Sequence, residues 1–367
     1  MSERTLTLRE LNRATLTRQM LLERETLSVP AAVERLAGLQ AQVASPPYIG
    51  LWTRLRDFRR DDLTHALEER LVVRAAMMRS TLHLMTAEDY LLLWPAMQPA
   101  LVRALGAFFG KRAKGLDIEK LVTEARTWLA EEPRTQGDLR ALLSGIEPDR
   151  DPAAMSYAVR SYLPKVQVPS GGRWGYSNRP PYALAEDWLG RPVSGTENLR
   201  DLVFRYLAAF GPATVADVQA WSGLVRLKEA MGDIKPELRV FRDENGKELL
   251  DVPDGSLPPA DTPAPVRFVP DYDNLILSHA DRGRVISDEH RKFVFLSAGR
   301  VRATFLVDGF VAGTWKVEKS RRTANLVIEP FEPLAEGTRE ILLEEGERLA
   351  RFVESEAETV EVRFAEG

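Results

Sequence analysis

Cysteine is absent from all 367 residues, so disulfides, thiolate metal sites and cysteine nucleophiles are excluded. Histidine is scarce. His65, His83, His279 and His290 stand far apart in the chain, and no metal centre or cofactor is expected from them. No apolar run reads as long enough to cross a bilayer, and no signal-peptide pattern opens the sequence, so the expectation is a cytoplasmic protein with no membrane partner. Positive charge is not in excess either: 50 Lys and Arg against 54 Asp and Glu leave a net charge of −4. That argues against a protein coating nucleic acid indiscriminately, while leaving room for local basic surfaces. Lys111-Arg112-Ala113-Lys114, Arg282-Gly283-Arg284, Arg291-Lys292 and Lys319-Ser320-Arg321-Arg322 are the candidates, although runs this short are commonly ordinary solvated faces.

What is present describes a globular chain, 44% apolar and 28% charged, long enough for about two to four units. Residues 8 to 27 read as a helix, with Leu8, Leu11 and Leu16 inward. A second helix follows from Pro30, then acids at Asp61 and Asp62 that favour a helix start, then strand-like residues from Leu71 to Leu84. Helices followed by a small β ribbon describe a winged helix. The order repeats with a helix over 118–129, a second opened by Thr135, and a Gly-rich hairpin over 166–176. It repeats again with a helix over 199–210, a helix capped by Thr214, and a hairpin on Asn245-Gly246. Past the proline-rich linker at 257–265 the texture becomes β, with a hairpin on Asp308-Gly309 and a last helix over 340–353. The expected fold class is α+β: winged-helix units over 1–116, 117–192 and 193–260, and a small β-barrel-like domain with a terminal helix over 261–367.

Within the second helix, Val33, Leu36, Ala37 and Gln40 fall on one face, and Pro46-Pro47 is expected to end it. Gln40 would then sit on the inward side, where a carboxamide is out of place unless something needs it. Residues two apart on a helix face opposite ways, so Gln40 and Gln42 could share one water or substrate only if the backbone leaves the helix between or just after them.

Three segments in this order carry a resemblance over nearly the whole chain. They are Gln40-Ala41-Gln42 leading into Leu51-Trp52; Arg79-Ser80-Thr81-Leu82-His83-Leu84; and Tyr272-Asp273-Asn274 through Ser278-His279-Ala280-Asp281-Arg282. Together they resemble the AlkZ/YcaQ family of winged-helix DNA glycosylases. The resemblance implies three tandem winged helices in a C-shaped arrangement with DNA on the concave side, no metal, and Gln40 and Gln42 as the catalytic pair. A Gln at both positions is similar to the AlkZ branch, which implies unhooking of bulky N7-purine adducts and interstrand crosslinks made by a DNA-alkylating natural product. Damaged duplex DNA is the implied partner and a monomer the implied state.

Elementary chemistry agrees. An N7-alkylated purine is already cationic and departs as a neutral base, leaving an oxocarbenium-like sugar. The protein has only to place a water at C1′, and a carboxamide oxygen can accept a hydrogen bond from it. His83 reads foremost as a structural histidine, with site support as the second reading; Asp273, Asn274 and His279 are further candidates for site support. Arg54, Arg79, Lys111, Arg112, Arg282, Arg284, Lys319, Arg321 and Arg322 are the candidate DNA contacts. Two other classes stay open: a non-catalytic winged-helix regulator, and a resistance protein that sequesters a drug. The regulator is disfavoured by helices at 138–144 and 216–221 with few side chains that read bases.

Overall fold

The computed structural model describes residues 4–320 and 322–365, a mixed α+β chain. It opens with β1 (Thr5–Leu6) and α1 (Leu8–Arg18), the helix held by a capping box between Thr7 and Glu10. The helix expected to reach residue 27 stops at Arg18, and Met20 adopts φ 55°. Next, α2 (Val29–Arg35) carries Pro30 in its first turn, as expected. It ends sooner than the periodicity predicts, because Ala37 turns to φ 51° and Gly38 to φ 86°. The Gly38 N–H donates to the Val33 carbonyl and the Ala37 N–H to that of Glu34, each at 2.9 Å. This is a Schellman ending, which satisfies the last helical carbonyls through a left-handed residue. Leu39–Gln40 therefore form a strand, β2, and the helical placement of Gln40 is corrected.

Pro46 and Pro47 do not end a helix. They begin α3 (Pro46–Arg54), since a missing N–H costs nothing in a first turn. After α4 (Arg60–Glu68), β3 (Val72–Ala76) and β4 (Leu82–Thr86) form an antiparallel ribbon around a tight turn at Met78–Ser80. The following helix, α5 (Ala87–Phe109), has no counterpart in the periodicity reading, and Pro95 and Pro99 inside it are punctuation that hides it. The stretch Ala87–Ala113 is long and apolar enough to cross a membrane by length and composition, which corrects the expectation that no such run exists. Its position explains the composition: Tyr90, Leu93, Trp94, Met97 and Leu101 are buried in the largest core cluster.

Helices α6 (Ile118–Glu131), α7 (Gln136–Ile146) and α8 (Pro152–Tyr162) lead to β5 (Lys165–Gln167) and β6 (Tyr182–Leu184). The Gly-rich segment expected to be a hairpin is the loop between those strands, with Gly171, Gly172 and Gly175 all at positive φ. After α9 (Ala185–Leu189), helices α10 (Leu199–Phe210), α11 (Val215–Ser222) and α12 (Lys228–Ile234) precede β7 (Arg239–Asp243) and β8 (Glu248–Asp251). The suspected repeat is visible in the caps: Thr135 with Asp138 and Thr214 with Asp217 close matching capping boxes on α7 and α11. Each helix set is followed by a two-stranded antiparallel ribbon, the plan of a winged helix. The ribbons also join one another. The first two share a five-stranded sheet in the order β2-β4-β3-β5-β6, and β1 pairs in parallel with β7.

The C-terminal part comprises β9 (Arg267–Val269), α13 (Asn274–Leu277), α14 (Asp288–Val294), β10 (Thr304–Val307), β11 (Phe310–Ser320), β12 (Thr323–Pro330), α15 (Glu336–Val353) and β13 (Thr359–Phe364). Its sheet runs β13-β12-β11-β10-β9, and the Asp308-Gly309 turn has both residues at positive φ, as an Asp-Gly hairpin requires. Leu342, Leu349 and Ala350 of α15 share a core with Phe268, Leu326 and Ile328 of the sheet.

Gly38 tests the turn that sets β2 in place. A Cβ there would meet the Met85 sulfur at 2.3 Å and the Leu84 carbonyl oxygen at 3.0 Å, on a backbone that L side chains avoid. Gly38→Ala is expected to cost about 2–4 kcal/mol in urea unfolding, by backbone strain and overpacking together.

Candidate active site

Strand β2 ends at Gln40, and Gln42 lies in the bend that leads to α3. Gln40 stands opposite His83 in the β2–β4 register, and the Ala41 N–H continues the ladder to the Leu82 carbonyl at 2.7 Å. The chain has left the helix before the pair, so Gln40 and Gln42 are not held on opposite faces as a continuous helix would hold them. Buried Arg74 of β3 holds the segment from behind, with Nε donating to the Ala41 carbonyl at 2.7 Å and Nη2 to that of Gln42 at 3.2 Å. Its guanidinium lies over the Tyr176 ring, 4.9 Å from the centroid. Arg74 was not among the expected site residues. The signal for it is a lone charge inside the apolar run Val72 to Ala76.

Gln40 is nearly buried and Gln42 is exposed. Arg79 Nη2 donates to Gln40 Oε1 at 2.7 Å, and the Leu82 N–H donates to Gln42 Oε1 at 3.2 Å. Arginine and backbone N–H groups only donate, so both amide oxygens are turned toward them, and each keeps a second lone pair. Arg79 adopts the left-handed conformation (φ 54°, ψ 21°) in the turn between β3 and β4. Its other contacts are the Trp221 carbonyl at 2.6 Å and Asn274 Oδ1 at 3.3 Å. Asn274 in turn donates to the Gly38 carbonyl at 3.2 Å. Its neighbour Asp273 caps α13 through the Leu275 N–H and makes a two-pronged ion pair with Arg54 at 2.8 and 2.9 Å. The three sequence segments singled out above therefore meet: Gln40, Arg79 and Asn274 are in direct contact.

His83 is fully buried. Its Nδ1 lies 3.2 Å from the Thr81 carbonyl, which can only accept, so Nδ1 carries the proton. Nε2 is left as a buried acceptor with no partner among the described residues. Burial and then the Arg79 charge lower its pKa to about 3, keeping the ring neutral. Burial also lowers Arg79, with help from nearby Arg282, to about 10, which leaves it charged at neutral pH.

The other expected residues fall into distinct places. His279 is buried away from the glutamines: Nε2 donates to the Phe210 carbonyl at 3.1 Å, and Nδ1 faces Ser278 Oγ at 2.9 Å. It is a structural tie to α10. Two expected DNA contacts are corrected, because Arg54 and Arg284 are buried. Arg54 serves Asp273 and the Gln19 and Gly50 carbonyls; Arg284 serves the Pro212 carbonyl and Thr15. Arg79 likewise gives its donors to protein oxygens. Arg282 is half-buried over the Phe295 ring. Lys111 and Arg112 are exposed, the latter paired with Asp151 at 3.0 Å. Lys319 pairs with Glu354 at 3.1 Å and Arg322 with Glu358, while Arg321 lies outside the described residues. Among the described residues, no group of three His, Asp or Glu is placed to hold a metal.

The profile of the DNA glycosylase AlkZ-like family matches residues 33–352, a span that contains all three contacting segments. The chain belongs to this family and is a DNA glycosylase. An interstrand DNA cross-link repair glycosylase from Streptomyces sahachiroi is 25% identical over 341 residues, covering 86% of this chain and 88% of that protein. The solved structure of Streptomyces sahachiroi DNA glycosylase AlkZ superposes with a TM-score of 0.79 at 20% identity, over 98% of this chain and 100% of that one.

Two outcomes follow from the geometry. Asp273→Asn leaves Arg54 buried without a counter-charge, and is expected to cost about 3–5 kcal/mol in chemical denaturation. His83 has a folded pKa below its unfolded value, so its stabilisation is complete above about pH 6.5 and is lost as pH falls toward about 3. Between pH 7 and pH 5 that loss is roughly 2 kcal/mol, and unfolding measured at both pH values should show His83→Gln to be spared it.

Proposed function

We propose that this chain hydrolyses the N-glycosidic bond of bulky N7-alkylated purines in duplex DNA, interstrand crosslinks included, with Gln40 and Gln42 ordering the attacking water. The observation that carries the reading is the orientation of the two amide oxygens, one set by Arg79 and the other by the Leu82 N–H. Each free lone pair accepts a hydrogen bond from the water, which holds it toward C1′ as the cationic base departs. Neither group is a strong base. A pair of neutral carboxamides suits a substrate that leaves unaided and does not suit uracil or unmodified adenine, for which a carboxylate or general acid would be needed. His83 stands opposite Gln40 in the β2–β4 register, and its neutral ring keeps Nε2 as a buried acceptor without a partner among the described residues.

Crosslinked bases are tied to the opposite strand and cannot turn into a closed pocket. The exposure of Gln42 in its bend suits a site that meets the lesion in place. The Streptomyces relative named for interstrand cross-link repair supports the same substrate class. The chain acts as a monomer in this reading.

Base release from a duplex with one bulky N7-guanine adduct is the test. Wild type is expected to leave an abasic site, and to turn a crosslinked duplex into strands that separate on a denaturing gel. Gln40→Ala and Gln42→Ala should each slow release by roughly 100-fold or more while DNA affinity holds. The wild-type rate should stay flat from about pH 6 to 9, because no group in the pair titrates there. No release from either substrate, with a sequence-specific footprint on undamaged DNA, would establish the regulator instead.

A further inference from the structure

Phe108, in the last turn of α5, is 64% exposed. Its ring meets Tyr157 of α8 edge-on, centroids 5.8 Å apart, and Tyr157 also packs on Phe109 at 5.3 Å. A single exposed apolar residue is unremarkable on a protein surface. Here the aromatic surface is surrounded by cations. Arg160 lies over the Tyr157 ring at 5.1 Å and Arg112 over Phe109 at 4.8 Å, while Lys111 and Lys114 are exposed with no acidic partner among the described residues. The acids here are engaged by arginines, Asp151 by Arg112 and Glu147 by Arg150, which also donates to the Gly115 carbonyl.

The same surface is tied to the candidate active site. The Tyr157 hydroxyl lies 2.7 Å from Ser80 Oγ, and Arg160 donates to the Ser80 carbonyl, one residue from Arg79. Exposed Arg103 donates to the Gly223 carbonyl, and Gly223 abuts the Arg79 backbone so closely that a Cβ there would lie 3.1 Å from Arg79 Cα. The platform and Gln40 are thus built on the two sides of one turn.

We propose that Phe108, braced edge-on by Tyr157, is a stacking platform for a nucleobase displaced from the helix beside the lesion, with Lys111 and Lys114 on the flanking phosphates. An aromatic face supplies stacking for any base, and unpaired cations complement the strand that carries it. An apolar protein partner would give those lysines nothing to neutralise. The inference rests on the reading that duplex DNA lies across Gln40 and Gln42, but its test does not depend on base release.

Affinity of the full chain is measured for a duplex with one bulged adenine and for the same duplex with an abasic tetrahydrofuran residue at that position. Wild type is expected to prefer the adenine by about 5- to 150-fold, the range of one stacked base. Phe108→Ala and Phe108→Leu should erase the preference and Phe108→Trp restore it. Lys111→Gln and Lys114→Gln should weaken both duplexes alike and each lower the slope of log affinity against log salt by about one. No preference in wild type, or a preference kept by Phe108→Ala or Phe108→Leu, overturns the platform. Base release alongside such a result would leave the glycosylase reading standing; a preference without base release would do the reverse.

Discussion

Arg54 and Asp273 are both buried, and neither has water to fall back on. Two desolvated charges are tolerable only if they hold one another in good geometry, and here the guanidinium meets both carboxylate oxygens. The pair joins α3 to the start of α13, which are 219 residues apart in sequence. From it the rest follows by contact. Asp273 caps α13; Asn274, the next residue, reaches the Gly38 carbonyl and Arg79; Arg79 turns the oxygen of Gln40. The water-ordering role proposed for Gln40 needs its parts held to a fraction of an ångström, and this relay fixes Gln40 from outside its own strand.

Much of this was legible in the sequence, for identifiable reasons. Caps and tight turns are local, so Thr135, Thr214 and Asp308-Gly309 announced their elements directly. The three segments carrying the family resemblance are the ones that touch in space. What failed was also physical. Gly38 is a local stop signal, but the apolar periodicity runs through it to Gln40, and Ala37 is an unusual residue for the left-handed position before it. Pro46-Pro47 fits the end of one helix and the start of another equally well, and only the packing of α3 decides. Interior Pro95 and Pro99 masked α5.

The arginines were the hardest to place. A guanidinium offers five donors in a rigid fork, which serves a cluster of backbone carbonyls as well as it serves a phosphate. Arg13, Arg18, Arg54, Arg74 and Arg284 are all buried, each cross-linking carbonyls or acids from separate elements. A count of positive residues cannot tell these from a DNA-facing cation. Lysines share the ambiguity: Lys111 and Lys114 lie at the surface of a helix end, whereas Lys165 is buried.

Helix α1 has a consequence for the order in which the chain matures. Arg18 grips Asp251 through both carboxylate oxygens, and Asn12 donates to the carbonyls of Arg284 and Gly309, partners 233 to 297 residues downstream. During synthesis those partners leave the ribosome long after α1 does. The first helix made is therefore among the last to dock, and it adds to the direct ties that His279 and Arg284 make between the third helix set and the C-terminal part. A truncated product lacking the last hundred residues would carry an α1 that keeps Asp251 and loses Arg284, Asp308 and Gly309.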